Sequence, residues 1–126
     1  MDRKVTLYNE ILMGHYHSPR SYGMIENPDF IIESRNESCG DVVCLTGMIR
    51  SNVLGDVKYQ GRGCIISQAC ASLLMEKVIG KSLDVIEALT AEDICTWAGI
   101  EFGPNRLHCA LLALQALQKA IKLQQH

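Results

Sequence analysis

The sequence predicts a mixed α and β fold in which strands come first and helices follow. Three observations carry this reading. Apolar and polar residues alternate through Val42 to Arg50 and again through Val53 to Gln60, on either side of a short polar break. Beyond Gly63 the alternation gives way to apolar residues at three- and four-residue spacing. The later segments are punctuated by helix signals: Gly80, Ser82, Thr90 and Gly103-Pro104. One domain over residues 1–126 is expected, because chains of about 150 residues already hide roughly two-thirds of their unfolded surface. No repeat, low-complexity tract or linker divides the chain.

In order along the chain, residues 2–14 place Val5, Tyr8, Ile11 and Leu12 on one helical face, with Gly14 expected to end the helix. His15-Tyr16-His17-Ser18-Pro19-Arg20 then reads as a loop, since a residue before proline is pushed out of the helical region. His15 and His17, two apart, share no helix face and are expected as an exposed pair rather than a metal site. Phe30 to Ser34 forms a first strand, and Asn36 to Asp41 a polar turn carrying Cys39. The two alternating segments form a hairpin turned at Ser51-Asn52 or Gly55-Asp56. Gly61-Arg62-Gly63 ends the sheet and leaves Cys64 uncrowded at the start of a helix running to Ile79. Ser82 caps a short helix through Ala88, and Thr90-Ala91-Glu92-Asp93 is a capping box for another through Ala98. Pro104, tolerated in a first turn, opens a last helix to about Leu123.

Composition excludes several functions. A net charge of -2 with twelve scattered Lys and Arg offers no footprint for nucleic acid. The apolar runs fall far short of the roughly 20 residues that cross a bilayer, and Met1-Asp2-Arg3-Lys4 leads into no signal-peptide core. A cytoplasmic location is therefore expected, where thiols stay reduced.

Six cysteines must then be ligands, nucleophiles or small core residues. No C-x2-C pair is present, which counts against zinc ribbons, thioredoxin-type redox pairs and ferredoxin clusters. Any metal site has to be assembled from distant parts of the chain. In the last helix, Leu107, Ala110, Leu111, Leu114, Leu117 and Ile121 fall on one stripe, which places Cys109 opposite it and His108 at its flank. In the preceding long helix the stripe is Ile66, Ala69, Cys70 and Leu73, with Cys64 on the far side. Cys44, Cys70 and Cys95 read as small packing residues. Cys39, Cys64 and Cys109 remain as off-core thiols, accompanied by Asp41 and His108. Such donors suit Zn(II) or an iron–sulfur cluster, and a helix N-terminus at Cys64 favours its thiolate.

These residues bring the chain to a known family: it resembles the IscU/SufU iron–sulfur cluster assembly scaffolds, or NifU-like N-terminal domains, along nearly its whole length. Cys39-Gly40-Asp41, Gly61-Arg62-Gly63-Cys64-Ile65-Ile66-Ser67 and Leu107-His108-Cys109 match the family's three cysteine motifs in order. His15 to Arg20 is similar to its HY-x-NPR loop, with Ser18 in place of Asn, and Gly80-Lys81-Ser82 to its GKT/GKS turn.

The resemblance implies an α+β fold with a three-stranded antiparallel sheet and helices packed on one face. It implies Cys39, Cys64 and Cys109 as cluster or zinc ligands, His108 or Asp41 as the fourth, and Asp41 as the group that keeps the cluster labile. Cys109 is implied as acceptor of sulfur from a cysteine desulfurase, with Cys39 or Cys64 able to share the role. The implied function is a non-enzymatic scaffold that builds a transient [2Fe–2S] cluster and transfers it to acceptor proteins. The alternative is a zinc-dependent sulfurtransferase, with Zn(II) in the isolated protein. The roughly twenty-residue insertion of the SufU branch is missing and His108 is present, as in IscU, whereas the HY loop and Gly-x-Gly-Cys-x-Ile-Ser segment look equally like SufU. Where IscU carries Leu-Pro-Pro-Val-Lys, this chain has Phe102-Gly103-Pro104-Asn105-Arg106, so recognition by an Hsp70-type chaperone is not carried over.

Overall fold

The structure is a computed structural model, and it describes residues 9–37 and 40–124. The elements are α1 (Glu10–His17), β1 (Phe30–Asn36), β2 (Asp41–Arg50), β3 (Val53–Arg62), α2 (Ile65–Val78), α3 (Leu83–Glu87), α4 (Ala91–Ala98) and α5 (Pro104–Gln124). The strands form an antiparallel meander in the order β1-β2-β3. Its first hairpin pairs Asn36 with Asp41, and its second turns at Ser51-Asn52, both with positive φ. Two left-handed residues match the twist of the flanking strands, so Gly55-Asp56 lies inside β3 rather than in the turn.

The helix caps follow the sequence closely because they are satisfied by neighbours in the chain. Ser82 accepts from Val85 N–H at 3.3 Å. Thr90 and Asp93 form the reciprocal box, with Asp93 Oδ2 accepting Thr90 N–H at 2.8 Å. The N-terminal helix differs from expectation. Asn9 caps it by accepting Leu12 N–H at 2.9 Å, and the helix passes through Gly14 to end at Ser18, before Pro19. Glycine in a helix interior costs only about 1 kcal/mol, less than the packing of Leu12 and His15 against α2 returns. The expected loop at His15 to His17 is therefore helical, and His15 is buried rather than exposed. The expected contributions of Val5 and Tyr8 lie outside the described residues.

The helices α2 and α5 pack on the sheet face that carries Val43, Leu45, Val57 and Tyr59. On the opposite face Thr46 Oγ1 accepts Ile25 N–H at 2.9 Å. The segments around Tyr22 and around Lys81 pair with the outer edge of β3. As α2 is enclosed by the sheet, α1, α4 and α5, its buried surface extends well beyond the expected stripe to include Ala71, Ser72, Leu74 and Met75. The same holds for α5, wedged between α2 and the sheet. Ala110, Leu114, Leu117 and Ile121 are buried as expected, but so are Cys109, Leu112, Ala113 and Ala116. The off-core placement of Cys109 is thus overturned: its side chain is 2% exposed. A helix packed on two sides has no far side at that position. Among the described residues no helix is long and apolar enough to cross a membrane.

Candidate metal centre

Three chain segments meet where the first hairpin, the end of β3 and the first turn of α5 come together. Asp41 is the first residue of β2 and is completely buried. Its Oδ1 accepts the backbone N–H of Cys64 at 2.8 Å. Gly63 makes this approach possible: it has φ of 143°, and a Cβ there would overlap the Asp41 carboxylate and lie 2.9 Å from its Cα. Glycine is required both for the backbone angle and for the space.

Cys64 is the N-cap of α2, with its sulfur accepting Ser67 N–H at 3.4 Å. Its thiol lies 3.8 Å from Asp41 Oδ2. Cys109, in the second turn of α5, directs its thiol to the carbonyl of Asn105 at 3.7 Å and receives the side-chain amide of Asn36 at 3.9 Å. The ligand atoms of Asp41, Cys64 and Cys109 all lie within 4.8 Å of one another. Two sulfurs each about 2.3 Å from a tetrahedral zinc stand roughly 3.8 Å apart, so these donors need only a small contraction around one ion. Two thiols and a carboxylate are the soft and hard donors that Zn(II) or iron accepts.

The other predicted residues separate clearly. Cys39 lies outside the described residues, between Glu37 and Gly40, whose N–H donates to Asn36 O at 2.8 Å and narrows the turn. His108 is exposed on α5 and does not belong to the group formed by Asp41, Cys64 and Cys109. Cys70 is buried on α2, and burial pushes its thiol well above the usual range, with further upward contributions from Cys64 and Cys95. Burial, then Glu33, also raises the Cys44 thiol. Both are kept protonated, as suits packing cysteines rather than nucleophiles. Cys95 is half-buried in α4 and lies outside the group of ligand atoms. Asn36 was not foreseen as part of the site. The hairpin register that sets it opposite Asp41 is the signal that would have found it.

With this geometry in place, comparison with known proteins is informative. The profile of the NifU-like N terminal domain matches residues 7–125. The chain is 29% identical to the zinc-dependent sulfurtransferase SufU of Bacillus subtilis, covering 92% of this chain and 90% of that protein. It is 34% identical to the iron–sulfur cluster assembly scaffold protein IscU of Escherichia coli K12, over 90% and 91% of the two chains. The crystal structure of FiSufU, a candidate iron–sulfur cluster assembly scaffold of the SUF system in Fervidobacterium islandicum AW-1, superposes with a TM-score of 0.82 at 30% identity, covering 92% of this chain and 97% of that one. The chain belongs to the family of NifU-like N-terminal domains.

Proposed function

We propose that this protein is an iron–sulfur cluster assembly scaffold: it accepts sulfur from a cysteine desulfurase, holds a [2Fe–2S] cluster transiently and passes it to acceptor proteins in the cytoplasm. It acts as a carrier rather than an enzyme. The observation that supports this most is the convergence of Asp41, Cys64 and Cys109 within 4.8 Å, from three segments far apart in sequence. Cys39 is proposed as the third thiolate ligand. Asp41 and His108 compete for the fourth position, and Asp41 is favoured because its carboxylate already lies against Cys64.

Sulfur arrives by thiolate exchange. The thiolate of Cys109 attacks the outer sulfur of the desulfurase persulfide, that S–S bond breaks, and the enzyme's cysteine leaves as thiolate. No net oxidation occurs in this step. The sulfur carried is zero-valent whereas cluster sulfur is sulfide, so cluster formation draws electrons from an external reductant.

A second reading, a zinc-dependent sulfurtransferase, is favoured by the similarity to Bacillus subtilis SufU. In it Zn(II) is held by the same donors and supplies charge that keeps the sulfurs as thiolates. Anaerobic reconstitution with iron, cysteine and a desulfurase separates the two. The scaffold reading expects thiolate-to-iron absorption that moves to an apo-acceptor protein; sulfur uptake with no transferable cluster would leave the sulfurtransferase. Mass spectrometry of the same mixture should find one added sulfur atom on Cys109 and none in Cys109→Ser. An adduct that persists in that variant moves the acceptor to Cys64 or Cys39. A structural zinc domain predicts instead that chelation unfolds the chain. A core running from Leu12 to Ile121 through all three strands and the helices predicts a cooperative melt without metal.

A further inference from the structure

Asn36 occupies an unusual position with respect to the three candidate donors. It is the last residue of β1 and pairs in register with Asp41. Its carbonyl accepts Gly40 N–H at 2.8 Å and so closes the turn that contains Cys39. Its side-chain amide reaches across to α5 and approaches Cys109 Sγ at 3.9 Å. One residue thereby touches the strand of the first donor, the turn of the second and the sulfur of the third.

We infer that Asn36 is a positioning residue for the metal centre, its side-chain N–H donating to the Cys109 sulfur once that sulfur carries the charge of a bound thiolate. An N–H donor aimed at a ligating sulfur fixes its direction and withdraws electron density from it, which lowers the energy of its donor orbitals. Partners of this kind typically account for about 10–100-fold in metal affinity. The backbone role in the turn does not depend on the side chain, so the two contributions can be separated by substitution. The inference rests on the metal-centre reading proposed above.

The test is competition titration of the full-length protein with Zn(II) and with Co(II), whose thiolate-to-cobalt charge-transfer absorption reports on the bound sulfurs. Asn36→Leu removes the donor at similar volume, and Asn36→Asp keeps the shape without the N–H, so either variant suffices if the other fails to fold. The expected result is a loss of about 10–100-fold in affinity, with the charge-transfer band displaced to longer wavelength and the melting of the metal-free protein unchanged. In a Cys109→Ser background the same substitution should change affinity by no more than about twofold, since its partner is gone. Wild-type affinity with an unmoved band, or an equal loss in the Cys109→Ser background, would overturn the role of Asn36 while leaving the metal centre intact. Failure of the wild-type protein to give any cobalt–thiolate absorption would instead overturn the metal centre, and this inference with it.

Discussion

Two polar clusters lie along α2, and they are built on opposite terms. In the middle of the helix, Ser72 is fully buried and its hydroxyl joins three other segments. It lies 2.7 Å from His15 Nδ1 of α1 and accepts Arg20 N–H at 2.7 Å. It also bonds the Tyr59 side chain of β3, while burial pushes that phenol up to about 12. At the N-terminus of the same helix, Cys64, Asp41 and Cys109 meet through one short hydrogen bond and several sulfur contacts of 3.4–3.9 Å. The first cluster is closed by short oxygen and nitrogen bonds. The second is loose at its sulfurs, where a metal ion gains more than a hydrogen bond does. Short, mutually satisfied bonds mark the cluster that holds α1 and the Arg20 segment to the core. Long contacts around convergent soft donors mark the one that binds.

The sharpest way to break this contrast is Gly63→Ala. A Cβ there meets the Asp41 carboxylate and forces an L side chain to φ of 143°. Strain of about 1–3 kcal/mol and overpacking of about 1–3 kcal/mol are expected together. Denaturant unfolding should register both, with Zn(II) affinity falling as Asp41 is displaced. A near-neutral result would mean that the carboxylate is not held where the structure has it.

Ser72→Ala should cost about 1–3 kcal/mol by leaving buried partners without their hydrogen bonds. Its effect on Zn(II) affinity should be within about twofold, as expected for independent sites. Coupled losses in both measurements would show that the two clusters act as one.

The smallest expected effect is a dependence on pH through His15. Burial lowers its pKa below 6.5, opposed by Glu76 and reinforced by Arg20 and Lys77. In the unfolded chain the imidazole takes up its proton near 6.5, whereas the folded state resists it to lower pH. The unfolded state therefore binds more protons in that window, and stability falls as pH drops through it. Melting temperatures between about pH 7 and about pH 5 should fall less steeply in His15→Gln than in the wild-type chain. An unchanged slope would assign the effect to other groups.

Much of the fold was legible because the features that set it are local. The capping boxes, the stop at Gly80, the hairpin strands and the start of α5 at Pro104 depend on neighbours a few residues away. His15 was misread because the helix signal weakens at Gly14, and only packing against Ser72 and Leu12's surroundings carries the helix past it. Cys109 was misplaced because a single apolar stripe presumes one packing partner, whereas α5 has the sheet on one side and α2 on the other.

The candidate site divides along the same line. By itself the sequence determined the donor types, through three cysteine motifs and the Asp41 that follows Cys39 by two residues. It also determined that Cys64 heads a helix, since Gly61-Arg62-Gly63 can only be a turn out of a strand. Only the tertiary structure decided that Asp41 and Cys109 converge on Cys64 while His108 faces solvent, and that Asn36 reaches the Cys109 sulfur. Ligand identity is a property of side-chain chemistry and is written residue by residue. Convergence depends on how α5 lies across the first hairpin, which is fixed by the burial of side chains distributed along the whole chain.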